Sequence, residues 1–123
     1  MKKIKFRAWD TYKNKMITGD LALSTGVICK LLTLPNHNGS WRTEIGECFD
    51  GELMQFTGLQ DKNGKDIYCS DFLGVSKDKY GEIYWNENEL AWWVEPIRNY
   101  PNEPLRGKGG NIKVLGNKYQ GLA

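Results

Sequence analysis

Histidine is almost absent from this chain, with His37 alone among 123 residues. Nucleophilic catalysis needs a nucleophile, a base and an orienting group. A single histidine between Asn36 and Asn38, in a polar loop, reads instead as a solvated surface residue, and no GxSxG or cysteine motif accompanies it. Cysteine is scarce too. Cys29, Cys48 and Cys69 form neither the close ligand pairs of a structural zinc site nor the even set of a disulfide-stapled small protein. We therefore expect three reduced thiols, no metal and no other cofactor. No apolar run approaches the ~20 residues of a membrane span, and no apolar h-region follows Met1-Lys2-Lys3. The expectation is a soluble protein of the cytoplasm with no membrane partner. A net charge of only +2 argues against strong non-specific attraction to nucleic acid by the whole molecule.

Charge is nevertheless unevenly spread. Residues 1–50 carry eight Lys+Arg against five Asp+Glu, residues 51–100 five against nine, and residues 101–123 four against one. Two basic ends flank an acidic middle, a pattern that ordinary solvated surface charge also produces. Bulk for a core comes from five Trp and six Tyr rather than from long leucine runs.

Short strands dominate the pattern. Ile4, Phe6 and Ala8 alternate with Lys5, Arg7 and Trp9, which is strand periodicity. Asp10 to Asn14 is a turn and Met16-Ile17 resumes the sheet. Gly26 to Leu34 fits a strand or a short helix from Ser24, and Thr25-Gly26 before it and Pro35 after it favour the strand. Pro35 to Ser40 is a loop, and Trp41 to Phe49 is ambiguous. Leu53 to Tyr68 is a hairpin with a Thr57-Gly58 kink and an Asn63-Gly64 turn signal. A strict two-residue turn would oppose Asp61 to Asp66. We therefore expect a larger turn in which the Asp61 carboxylate accepts backbone N–H bonds. Phe72–Val75, Gly81–Trp85, Ala91–Val94 and Ile112–Leu115 complete the strands. The sequence thus reads as an all-β sandwich or small barrel.

Several candidate chemistries fail on spacing. Asp61-Lys62-Asn63-Gly64 starts like an EF-hand loop, but Lys65 and Asp66 stand where a ligand and the invariant glycine belong. The carboxylate pairs Glu44/Glu47, Asp61/Asp66 and Glu87/Glu89 suit turns and rims, since nothing indicates a sugar-sized cleft between them. Gly107-Lys108-Gly109-Gly110 is basic and glycine-rich but lacks the P-loop pattern. It reads as a flexible linker, with Lys108 offering at most a loose anion contact. The aromatic residues carry the one functional hint. Successive side chains of a strand point to opposite faces, so Trp92 and Trp93 cannot both enter one core. Trp9, beside Arg7, sits on the polar-facing phase of its strand. An exposed aromatic next to a cation stacks on bases or anchors a protein interface; packing within the same small domain is the alternative. Arg7, Trp9, Trp92, Trp93 and Lys108 are the candidate binding residues, and no catalytic set is expected.

Three blocks carry a family resemblance. Ile4-Lys5-Phe6-Arg7-Ala8-Trp9-Asp10, then Leu53-Met54-Gln55-Phe56-Thr57-Gly58-Leu59 with Asp61-Lys62-Asn63-Gly64-Lys65 and Ile67-Tyr68, then Val114-Leu115-Gly116-Asn117 resemble, in order, the motifs of the YopX family. Where the family continues Ile-Tyr with Glu-Gly-Asp, this chain has Cys69-Ser70-Asp71. A glycine there would suit a special backbone angle, which Ser70 either avoids or adopts under small strain. The family's acidic-proline ending is also missing.

The resemblance implies an origin in a phage or prophage. It further implies an SH3-like β-barrel core within one domain over 1–123, divisible into an N-terminal β part (1–50) and a barrel part (51–123). It implies no reaction. The expectation is a non-enzymatic binding or assembly module acting on a phage or host protein in the bacterial cytoplasm, with self-association through exposed strand edges. Nucleic acid is the alternative partner.

Overall fold

The computed structural model describes residues 5–24, 27–98, 100–107 and 111–122. Among the described residues every element is a strand apart from one 3-10 turn, and the chain divides into two compact units, Lys5–Gln55 and Phe56 onward. The all-β expectation is met. Among the described residues no helix is long and apolar enough to cross a membrane.

The first unit contains β1 (Phe6–Asp10), β2 (Lys15–Ile17), β3 (Leu21–Ser24), β4 (Val27–Pro35), β5 (Trp41–Phe49) and the opening half of β6 (Gly51–Gln60). β1 lies between β2 and β6, antiparallel to both. The Asp10 carboxylate accepts the N–H groups of Tyr12 and Lys13 at 3.0 Å each, which shapes the turn into β2. β3, β4 and β5 form a separate antiparallel sheet. The core of this unit is small: Ala8, Ile17, Ile28 and Phe49, with Leu21 against them.

The ambiguous Trp41–Phe49 segment is a strand because β4 supplies a full-length partner, from Leu31↔Ile45 to Pro35↔Trp41. β3 has no sequence signal of its own. Four residues are too few to show a period, and their pairing with Val27–Lys30 decides the conformation.

The expectation of three reduced thiols is corrected here. Cys29 and Cys48 are direct cross-strand partners, with Cα atoms 4.0 Å apart, and they form a disulfide. The wide sequence spacing misled, because an antiparallel hairpin brings distant residues into register. Cys69 keeps its thiol, 3.8 Å from the Ser70 hydroxyl.

The second unit holds the rest of β6, then β7 (Asp66–Tyr68), β8 (Asp71–Ser76), β9 (Lys79–Asn86), β10 (Ala91–Pro96), β11 (Glu103–Pro104), the 3-10 turn Leu105–Gly107, β12 (Lys113–Asn117) and β13 (Gly121–Leu122). Its main sheet is curled like half a barrel, in the order β11-β10-β9-β8-β12-β13. Ile67, Leu73, Ile83, Val94 and Leu105 form the core, and Trp92, Ile112 and Val114 pack against it.

The hairpin turn is the enlarged one expected. Gln60 pairs with Asp66, and residues 61–65 form the loop. Thr57 makes the kink before it: its hydroxyl donates to the Ile67 carbonyl and accepts from Leu59 N–H, while Gly58 takes φ 87°. Ser70 adopts φ 70°, so it accepts the left-handed angle a glycine would take without strain. Its backbone is fixed on both sides, with N–H donating to Ile83 and carbonyl accepting from Lys118.

β13 is short and was not expected beyond Asn117. It exists because the Asn117 carboxamide oxygen accepts from Tyr119 and Gln120 N–H and turns the chain back. Gly116 is required at that point. Its φ is 150°, and a Cβ there would land on the Gly121 carbonyl.

Candidate functional site

The second unit carries a pocket of about 200 Å³ beside β8, β9 and β10. Its floor is apolar, from Leu73 on β8, Val94 on β10 and Ile112 just before β12. Glycines at 74 and 81 let the neighbouring strands approach closely, and at Gly74 a Cβ would land on the Lys79 carbonyl oxygen. At Gly81 the backbones are so close that a Cβ would lie 2.6 Å from the Glu95 carbonyl and 2.7 Å from Val94 Cγ1.

The rim comes from two segments. The β8–β9 turn brings Asp78 and the start of β9 brings Lys79 and Tyr80, while the segment after β10 brings Ile97, Arg98 and Tyr100, with Glu103 on β11 beyond. Backbone hydrogen bonds set this second segment: Ile97 N–H donates to the Tyr80 carbonyl at 3.2 Å, and Tyr100 N–H to the Arg98 carbonyl at 2.7 Å. The Tyr80 ring leans on Phe72, with centroids 5.2 Å apart, and is half-buried; Tyr100 is 61% exposed. The pocket thus combines an apolar floor, two phenol rings and a rim with charges of both signs. Among the described residues, no three His, Cys, Asp or Glu side chains converge.

Asp61 shows why the EF-hand-like tetrapeptide is a turn. Its Oδ1 accepts from Asn63 and Lys65 N–H, both at 2.9 Å, and its Oδ2 accepts from Val114 N–H at 2.9 Å. Burial alone would push this carboxyl up. The donors, Val114 first and then Lys65 and Asn63, outweigh it and hold the carboxyl below its usual range. The carboxylate is thus occupied in tying the hairpin loop to β12. Asp71, fully buried, accepts Tyr68 N–H at 2.8 Å in a similar structural role.

The structure does not gather the residues singled out from sequence. Arg7 is 8% exposed on β1, and Trp9 is half-buried on the same strand, opposite Met16 and Glu52. Both lie in the first unit. Trp92 packs against the core of the second unit and meets Trp85 edge-on, with centroids 5.1 Å apart. Trp93 takes the other face of β10, between Tyr84 and Pro104. Lys108 lies outside the described residues. The opposite-face argument for Trp92 and Trp93 holds, yet both are half-buried within their own unit.

Tyr80, Arg98 and Tyr100 were missed. The available signal was weak, a Pro96-bounded strand end followed by cationic and aromatic residues. Trp41, 67% exposed on β5, was hidden by the ambiguity of its segment.

Strand content, curled sheet and pocket together define an all-β protein with a half-barrel sheet and smaller accessory sheets. A family model described as YopX protein matches residues 5–121, nearly the whole length, and the chain belongs to the YopX family. Its fold is similar to the crystal structure of protein EF1440 from Enterococcus faecalis. The two are 25% identical, with a TM-score of 0.66 over 97% of this chain and 95% of that one. No curated protein matches the sequence as a relative.

Proposed function

We propose that this chain is a non-enzymatic binding module whose pocket takes an apolar side chain from an extended segment of a protein partner. The observation that carries the reading is the mixed-charge rim around an apolar floor. Lys79 and Arg98 are matched by Asp78 and Glu103, and such a rim suits a polypeptide better than a polyanion, which carboxylates repel. Two tyrosines at the rim fit the usual anchors of a protein interface, which bury large area while losing few side-chain rotations. On this reading the second unit is an SH3-like barrel core. The partner is a phage or host protein, and the site of action is the bacterial cytoplasm.

The test is a panel of fluorescent extended peptides with a central Leu, Pro or Trp, read by polarisation. A binding peptide should lose at least about tenfold in affinity on Tyr100→Ala, in line with loss of an interface anchor, with an unchanged circular dichroism spectrum. A wild-type chain that binds none of the panel sinks the reading. Tryptophan quenching by a single-stranded oligonucleotide, weakening as salt rises, would replace it with a nucleic-acid partner.

A further inference from the structure

We propose that two copies of this chain join edge to edge through β5, antiparallel, about a two-fold axis at Thr43. The inference stands apart from the pocket, which lies in the other unit.

β5 is the outer strand of its sheet, and among the described residues nothing pairs with its free side. The hydrogen-bond phase of that side follows from the hairpin. Asn36 N–H donates to Ser40 carbonyl at 2.8 Å, so positions 42 and 44 turn their backbone groups inward to β4. Trp41, Thr43 and Ile45 then turn theirs outward. Trp41, Thr43 and Ile45 share one exposed face of the ribbon, with Trp41 at 67% and Ile45 at 61%, and Arg42 and Glu44 are exposed on the other. No proline interrupts this edge. On β4, Pro35 stands at a position whose backbone faces away from β5 and so denies that edge a donor.

The sequence of β5 is complementary to itself in one register. With Thr43 opposite Thr43 of the second copy, Trp41 faces Ile45 and Arg42 faces Glu44, and each of these oppositions is repeated by symmetry. Threonine pairs, aromatic–β-branched pairs and opposite charges are the cross-strand combinations that stabilise sheets. Thr43 and the Trp41/Ile45 pairs would also be the hydrogen-bonded positions, each exchanging both its N–H···O bonds. Moving the axis one residue either way sets Arg42 against Arg42 or Glu44 against Glu44. Within one chain Arg42 Nε already donates to Glu44 Oε1 at 2.7 Å, so pairing would extend this ion pair into a four-charge row. A dimer would also convert a two-stranded ribbon, marginal by itself, into the centre of a wider sheet.

The test is light scattering on the full chain over a concentration series. Wild type should show a dimer. Arg42→Glu should weaken it by about tenfold or more, since like charges then meet twice across the axis. The swap Arg42→Glu with Glu44→Arg should restore it. All these positions are exposed, and circular dichroism checks the fold. Thr43→Cys should give a covalent dimer on oxidation, because facing residues there would sit at disulfide range. A wild-type chain that stays monomeric up to its solubility limit overturns the proposal. So does a dimer indifferent to Arg42→Glu. In the monomeric outcome the edge is left for a strand of another protein.

Discussion

The two units of this chain hold themselves together by different means. The second unit has five buried apolar residues at its centre, with Trp92, Ile112 and Val114 around them, and a six-stranded sheet to spread them over. The first unit has a thinner core of Ala8, Ile17, Ile28 and Phe49. Its β4–β5 ribbon is exposed on both faces from Trp41 to Ile45. A covalent bond, Cys29–Cys48, stands at the base of that ribbon. Small apolar cores bury too little area to offset chain entropy comfortably, and a cross-link adds stability by restricting the unfolded chain. The comparison teaches that apolar burial secures the second unit, whereas the first relies on a staple.

The largest test of that contrast is Ile83→Ala. Ile83 is fully buried at the centre of the second core, and truncation there should cost about 4 kcal/mol through lost burial and a residual cavity. Hydrogen exchange should show the loss first in peptides of the second unit. Equal deprotection of β1–β5 would break the comparison.

Next, Cys29→Ser with Cys48→Ser removes the staple. Closing a loop of this separation is worth roughly 3 kcal/mol in the chain-entropy account. The expected outcome is faster exchange confined to the first unit, matched by wild type treated with a reductant. If β4 and β5 remain fully protected, the staple is dispensable and the contrast is wrong.

A smaller effect concerns pH and sharpens how the second unit closes. The Asp61 carboxyl is held low in the folded chain, so the folded state binds its proton less readily than the unfolded one. The resulting stability is present above the ordinary aspartate value near 3.8 and fades as pH falls below it. Denaturant unfolding should therefore show a loss of stability in acid, and Asp61→Asn should remove that part of the pH dependence. An unchanged acid limb in Asp61→Asn would show that the carboxylate does not tie the loop to β12.

The smallest effect is expected at Lys13 and Glu47. Their ion pair, 2.7 Å long, raises the Lys13 pKa and lowers that of Glu47. Both groups are solvated, however, and water and salt screen such pairs. Glu47→Gln should leave the unfolding midpoint of the first unit unchanged within error. A clear drop would mean that surface charge helps the disulfide to hold the ribbon.

Much of the fold was legible because its signals are local. Alternation in Phe6–Asp10, the Asn63-Gly64 turn and the Gly116-Asn117 reversal each depend on residues within one turn or strand. Asp61 was readable as a turn acceptor because Asp61 and Asp66 could not sensibly oppose one another. The site was not legible in the same way. Tyr80 and Tyr100 lie twenty residues apart and line one pocket because β9 and β10 pair from Gly81↔Pro96 to Asn86↔Ala91. Arg7, which alternation placed on the polar-facing phase of β1, is buried in the strand paired on both edges.

By itself, then, the sequence determined the strand class, the family and the chemistry of individual turns, since these follow from neighbouring residues and their allowed backbone angles. Only the tertiary structure decided that Cys29 meets Cys48, that Trp92 packs against a core, and that a pocket opens beside β8–β10. Register across strands decides which distant residues touch. That choice depends on the burial of whole faces rather than on any short stretch of chain.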